Sequence, residues 1–390
     1  MFHPASPSER PAPTLPVQVR SDTRTAGRTA LRLATVQATR LTPTPLTAQS
    51  VGEDVQARSP NVPVGLSRVG VTGVEKVVRI HDELFFARLS CFVDLSREQK
   101  GAHMSRFEEV INEAIGEVVL SEAPFRAETL ARHIAELVRE RQGAHRAEVS
   151  IEARYPEHKP APVSGIPTQE IYTLHGQAVA FEHGTRCVVG VSATGMTACP
   201  CAQELVAARA RVRLADDGFS AEQIESILRS VPVATHNQRG LGTLRIGCTE
   251  DCVTEIDATS LLEIVEASMS SEIYELMKRA DEVEVVEKAH ARPRFVEDCV
   301  REMIAGVVAR YPELDGASFV AARQENLETI HQHNVVAERH GLLAELRSEI
   351  DSGELAARQT TLEAWLSTGT GAGTGAGTGT GAGAGAGAGA

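Results

Sequence analysis

The chain has no run of about eighteen apolar residues and no apolar stretch near its start of the kind an export signal needs. A membrane partner is therefore not expected. Its seven cysteines (91, 187, 199, 201, 248, 252 and 299) are too thinly spread over 390 residues to form a disulfide framework. They read as reduced thiols in a soluble protein, for which a cytoplasmic location is expected. Positive charge is also in deficit, with 39 Lys and Arg against 52 Asp and Glu and a net charge of −13. Such a surface repels phosphate polymers, so no nucleic-acid partner is expected, whereas a small phosphorylated substrate needs only a local basic pocket.

Two segments lack what a core requires. Residues 1–63 are rich in Pro, Thr, Arg and Ser, poor in aromatics and without a sustained period, which predicts a disordered leader. Residues 367–390 are, after Ser367, only Gly, Ala and Thr, with no large side chain to bury and a high backbone entropy to lose. They are expected to form a flexible tail.

Between these segments the pattern is that of an α+β protein. Alternation of β-branched and aromatic residues with polar ones over 69–95 predicts a hairpin. Helical spacing of Phe107, Val110, Ile111, Ala114, Ile115 and Val118 predicts a helix over 105–120, and a second is expected over 127–142. Strands are expected at about 146–155, 170–183, 185–197, 243–248 and 319–335, with further helices at about 259–279 and 294–311. Strands that arrive as adjacent hairpins favour antiparallel sheets with the helices on one face. The order suggests a duplication, with one unit over 64–198 and another over 241–345. Residues 199–240 between them read as a loop carrying a helical insertion, and 346–366 as a C-terminal helix.

Five pieces of the sequence could carry chemistry. GMTACPCAQ ends a strand with Cys199 and Cys201, which are too close for both to serve easily on one tetrahedral ion, so one thiolate is the candidate ligand or nucleophile. THNQRG places His236 among turn-forming and basic residues. LETIHQHN carries Glu328 three residues before His331, with His333 following. Carboxylate and imidazole together suit zinc, iron or manganese, and the pair converges if the strand ends in a turn. In RPRFVED, Glu297 lies between Val296 and Cys299 and is expected on the apolar face of a helix, where a carboxylate needs a donor. QKGAHMSRF sets Lys100, His103, Ser105 and Arg106 around a glycine at a helix start, a plausible phosphate cradle.

Taken together and in order, QKGAHMSRF, GMTACPCAQ, THNQRG, KRADE, RPRFVED and ETIHQHN resemble the type IB GTP cyclohydrolases over about residues 65–345. The resemblance implies a tunnelling fold of two tandem ββααββ-like modules, a homotetramer with active sites at subunit interfaces, GTP as substrate and one divalent metal per site, Fe(II), Zn or Mn. It also implies roles for single residues. Cys199, His236, Glu282, Glu328 and His331 resemble the metal-site residues, and Glu297 the carboxylate that anchors guanine. Lys100, His103, Arg106 and Arg239 are the phosphate-side candidates. KRADE stands where the family has KRPDE, the span from Cys199 to His236 is longer than in short bacterial members, and the GMTACPCAQ wording resembles the archaeal branch. The two branches differ in product, dihydroneopterin triphosphate or its 2′,3′-cyclic phosphate. Two competing readings are a non-catalytic zinc scaffold built on Cys199, Cys201, Cys248 and Cys252, and a related enzyme acting on another pterin or purine.

Overall fold

The computed structural model describes residues 54–80, 83–119, 126–250, 252, 254–355 and 359–367. The expected leader and tail fall outside these residues, apart from 54–63 and Ser367. In chain order the elements are β1 (Leu66–Ile80), β2 (Glu83–Leu95), α1 (Met104–Val119), α2 (Ala127–Gln142), β3 (Arg146–Pro160), β4 (Pro167–Phe181), β5 (Gly184–Ala198), α3 (Pro200–Asp216), α4 (Ala221–Ser230) and β6 (Asn237–Cys248). They continue with α5 (Ala258–Ser268), β7 (Ser271–Glu272), α6 (Arg279–Ala291), α7 (Val296–Arg310), β8 (Phe319–Leu327), β9 (Val335–Leu342), α8 (Leu343–Ser352) and α9 (Leu362–Ser367).

Among the described residues one sheet takes in every strand, ordered β1-β2-β3-β4-β5-β6-β8-β9, with β7 attached to β5. All of its pairings are antiparallel. The order ββααββ runs from β1 to β4 and recurs from β5 to β9 with additions, the α3–α4 hairpin between β5 and β6 and a third helix and the short β7 between β6 and β8. The α+β class with an antiparallel sheet is thus as expected.

Burial alternates along the strands because successive side chains point to opposite faces. On β4, Tyr172, Leu174, Ala178 and Ala180 enter the core, while His175 and Gln177 face the other way. Against the core face α2 lays Leu130, Ala131, Ile134, Ala135 and Val138, the 3–4 spacing that makes one apolar stripe. It ends where Gly143 takes a left-handed φ of 65°. The fit is close at Gly176, where a Cβ would stand 2.3 Å from the Ala127 backbone. On the opposite face a small cluster of Val179, Val188 and Phe319 is covered by Trp365 and Leu366 of α9.

Three expected elements are shorter than their sequence pattern suggested. The helix expected over 259–279 stops at Ser268, because Met269 turns extended (ψ 173°) and Ser271–Glu272 pair with Gly195 and Met196 of β5. The strand expected over 319–335 stops at Leu327, and a turn leads into β9. The helix expected over 346–366 is broken at Gly353, whose φ of 71° ends α8.

Asp281, in the first turn of α6, is fully buried and ties this helix to the β3–β4 turn. Oδ1 accepts from Val163 N and Ser164 N at 2.8 Å each, and Oδ2 from Ser164 Oγ at 2.7 Å and Lys278 N at 2.8 Å. Burial pushes its pKa up, but these four donors outweigh it and hold the carboxyl well below the usual carboxylate range. A depressed folded pKa contributes stability that is fully present above the unfolded value of about 3.9 and fades as pH falls below it. Thermal unfolding of Asp281→Asn is therefore expected to show a lower Tm than the parent at pH 7, with the gap narrowing at pH 3. A gap that stays constant between those pH values would contradict this reading of Asp281.

Candidate active site

The β5–β6 ladder pairs Ala198 with Asn237, which sets the first residue after β5 beside the last residue before β6. Cys199 N donates to His236 O at 3.2 Å, and Thr235 Oγ1 donates to Cys199 O at 2.8 Å. The α3–α4 excursion thus leaves the sheet at Cys199 and returns at His236, so two residues far apart in sequence become neighbours. Cys199 is the N-cap of α3, at the positive end of the helix dipole. Cys201, two residues on, is exposed.

On its other edge β6 pairs with β8, with Arg239 opposite Leu327. Glu328 follows directly, and Thr329 Oγ1 fixes the turn by donating to Asn237 O at 2.9 Å. The Glu328 side chain is 5 % exposed, and its Oε2 lies 3.8 Å from His236 Nδ1. Gln238, two residues from His236 on the same face of β6, places its amide nitrogen 3.0 Å from His236 Nδ1 and donates to the Glu328 oxygens at 3.4 and 3.3 Å. Thr197 Oγ1 donates to Gln238 Oε1 at 3.2 Å and fixes the amide's orientation. The turn after Glu328 brings the His331 ring edge-on to His236 at 6.3 Å between centroids, and His333 stacks on His331 at 5.3 Å.

Cys199, His236, Glu328 and His331 are therefore gathered at one end of three adjacent strands. Among the described residues, however, no three His, Cys, Asp or Glu side chains close to ligand distance of a common point. The donor set is assembled without being closed. Its chemistry of one sulfur, two imidazoles and one carboxylate fits Zn, Fe(II) or Mn. The near-complete burial of Glu328 against a single amide and an imidazole also fits a carboxylate whose cationic partner is a bound ion.

The remaining candidates sit elsewhere. Glu297 does not lie on the apolar face of α7; it is exposed, and Val296, Cys299 and Val300 take the buried positions. The sequence neighbours Val296 and Cys299 misled because one step along a helix turns by about 100°. Its segment nevertheless approaches the cluster, since Arg294 N donates to Ala198 O at 3.0 Å. Glu282 is exposed in the first turn of α6. The far end of that helix, at His290, is the part that meets Gln203 of α3, roughly 12 Å along the axis from Glu282. Lys100 and Arg239 are exposed. His103 pairs with Asp54 at 3.2 Å, and its backbone N–H and C=O bond the Gln142 side-chain amide, while Arg106 donates to Arg141 O at 2.9 Å. No hydrogen bond or ion pair among the described residues joins this segment to the Cys199 cluster.

The four-cysteine scaffold does not form within the chain. Cys248 pairs with Cys187 at the opposite end of β6 from His236, roughly 40 Å away at about 3.3 Å per strand residue.

Comparison with known proteins decides the family. The model described as type I GTP cyclohydrolase folE2 matches residues 53–337. The chain belongs to this family. Among its cyclohydrolase relatives, a protein from Methanococcus aeolicus named GTP cyclohydrolase MptA is 41 % identical over 307 residues, covering 76 % of this chain and 99 % of that protein. The Haloarcula marismortui protein of the same name is 43 % identical over 303 residues, covering 76 % and 97 %. A solved uricase from Arthrobacter globiformis overlays with a TM-score of 0.44 at 8 % identity, covering 77 % of this chain and 98 % of that one. The cyclohydrolase match ends before α8 and α9, so Trp365 lies beyond the shared part.

Gln238 is the site residue that the motif reading passed over. The signal was present in THNQRG, where residues 236 and 238 share a strand face, but 236 was read as part of a turn. Gln238→Leu is expected to lower stability by about 1–3 kcal/mol, because it leaves the Glu328 carboxylate buried without its amide donor. The Gln238→Leu, Glu328→Leu double variant is expected to lose less than the sum of the two single changes, as measured in a denaturant double-mutant cycle. Strict additivity would show that the contact carries nothing.

Proposed function

We propose that this member of the cyclohydrolase family is a Cys-ligated enzyme of the type IB kind that hydrolyses GTP at C8. The guanine imidazole ring opens, formate leaves, and a 7,8-dihydroneopterin phosphate forms, either the triphosphate or, with release of the other two phosphates as pyrophosphate, the 2′,3′-cyclic phosphate, as the first step of folate or pterin synthesis. The observation that carries the proposal is the convergence of Cys199, His236 and Glu328 through one β ladder in a chain of this family.

Cys199, His236, Glu328 and His331 would hold a divalent ion, Fe(II), Zn or Mn. Such an ion lowers the pKa of water from 15.7 towards about 7 and so supplies a nucleophile at neutral pH. Around it the chain's own groups have separate tasks. Gln238 and Glu328 fix the His236 ring, so the imidazole keeps one orientation. Glu297 would accept hydrogen bonds from guanine N1–H and the 2-amino group, two donors that adenine lacks, which discriminates against ATP. Lys100, His103, Arg106 and Arg239 would contact the triphosphate, and Glu282 would join the site from a neighbouring subunit.

This division needs an assembly. Glu282 and Lys100 are exposed and stand apart from the cluster, and Glu297 and Arg239 are exposed at its margin, while Phe295, Leu327 and Ile330 leave apolar surface exposed beside it. A tunnelling-fold homotetramer with its active sites between subunits accounts for both features, in a protein working in the cytoplasm.

Incubating the purified chain with GTP and each metal in turn, then assaying formate and weighing the pterin by mass spectrometry, tests the proposal. Formate release is expected from the parent and lost in Cys199→Ala together with most of the bound metal. Full activity in that variant would overturn the site. Glu297→Gln is expected to raise the KM for GTP by roughly 100-fold, the effect of about 3 kcal/mol of charge-assisted hydrogen bonding. An unchanged KM would remove Glu297 from the substrate site.

A further inference from the structure

The sheet face opposite α2, α5 and α7, part of which α9 covers, holds a polar trough far from the cysteine–histidine cluster. Register sets its floor, since His175, Gly190, Arg245, Ala321 and His340 are successive cross-strand partners on β4, β5, β6, β8 and β9. One row along, Thr173, Ser192, Thr243, Arg323 and Glu338 follow in the same way. A cavity of about 370 Å³ lies over these rows, its lining including His175, Ser192, Thr243, Arg245, Arg323 and Glu338. Gly190 makes room for it: a Cβ there would stand 2.6 Å from Cγ of Arg245.

Arg245 is the unmatched group. It is half-buried and forms no ion pair among the described residues, and its Nε is buried with no hydrogen-bond partner. Burial pulls its pKa down, and the charge of Glu152 offsets this only in part. The other acids nearby are engaged: Glu325 and Glu338 hold Arg323 at 3.0 and 3.9 Å. Glu152 itself reaches only His175 Nδ1, at 3.9 Å. Burial first, and then the positive Arg245, lower the His175 pKa to about 4, so this imidazole is neutral near pH 7 and adds no second charge. His175 Nε2 lies 2.8 Å from Ser192 Oγ, which lies 2.8 Å from Thr243 Oγ1. A line of hydroxyls therefore runs beside a guanidinium that lacks an anion.

We propose that this trough is a binding site for a phosphate-type oxyanion, with Arg245 as its cation and the Ser192 and Thr243 hydroxyls as further donors. A guanidinium offers forked N–H groups that match phosphate oxygens, and a partly buried one gains most from such a partner. Arg245 stands nine residues along β6 from His236, roughly 30 Å at about 3.3 Å per residue. The trough is thus separate from the Cys199 cluster of the same chain and does not depend on the proposed reaction.

Isothermal titration of the full-length chain with inorganic phosphate tests it. Saturable binding is expected in the parent, preserved in Cys199→Ala, and weakened at least tenfold in Arg245→Gln. If Arg245→Gln does not fold, Thr243→Val serves instead and is expected to weaken phosphate binding several-fold. The KM for GTP separates two sources of the same chemistry. It stays unchanged in Arg245→Gln if the ligand is free phosphate, and rises in parallel if the ligand is a nucleotide's phosphate. No saturable phosphate binding in the parent, equal binding in the Arg245 and Thr243 variants, or loss of binding in Cys199→Ala would each overturn the proposal.

Discussion

The backbone ladder joining β5, β6 and β8 is the constraint on which the site depends. Cys199, His236 and Glu328 lie on three different strand ends, and nothing local in the sequence draws them together. Pairing Ala198 with Asn237 and Arg239 with Leu327 fixes all three ends at one level. Because the side-chain period of a strand is two, a slip of one residue would turn His236 and Gln238 to the opposite face together. The register is held by the core that the same strands bury, in which Val191 and Ala193 of β5, Leu244 and Ile246 of β6, and Val320 and Ala322 of β8 all point towards the helices. Packing on one face thus positions chemistry at the edge.

Polar satisfaction does the finer positioning. Glu328 is nearly enclosed, and what meets it is an amide and an imidazole rather than a lysine or arginine. A carboxylate so enclosed, with no lysine or arginine bonded to it among the described residues, fits the cation-binding role proposed for it. Asp281 shows the opposite solution, a buried carboxylate supplied by the chain with four donors. Two neighbouring acids in KRADE are therefore divided by environment, Asp281 stitching α6 to the β3–β4 turn while Glu282 faces outward.

Much of this was legible in the sequence, and the failures have physical causes. The α1 and α2 stripes and the alternating strands declared themselves through period, and the α3–α4 insertion through its helical, acidic composition. The helix expected to run to 279 ended early because Ser271 and Glu272 find strand partners on β5, a long-range pairing that no local pattern encodes. Reading 328–334 as strand or turn was undecidable from alternation alone, and the turn is what lets Glu328 and His331 face the same space. Glu297 was misplaced by proximity to buried neighbours, although its segment does reach Ala198. Gln238 escaped notice because a neutral amide carries no catalytic signature until its two partners are seen.

The sharpest test of the proposed centre is the sulfur itself. Cobalt(II) loaded into the purified protein reports a thiolate ligand through a sulfur-to-metal charge-transfer absorption. This band is expected in the parent and in Cys201→Ser and absent in Cys199→Ser. A band that survives loss of Cys199, or one that disappears with Cys201 instead, would contradict the placement of the metal at the junction of β5, β6 and β8.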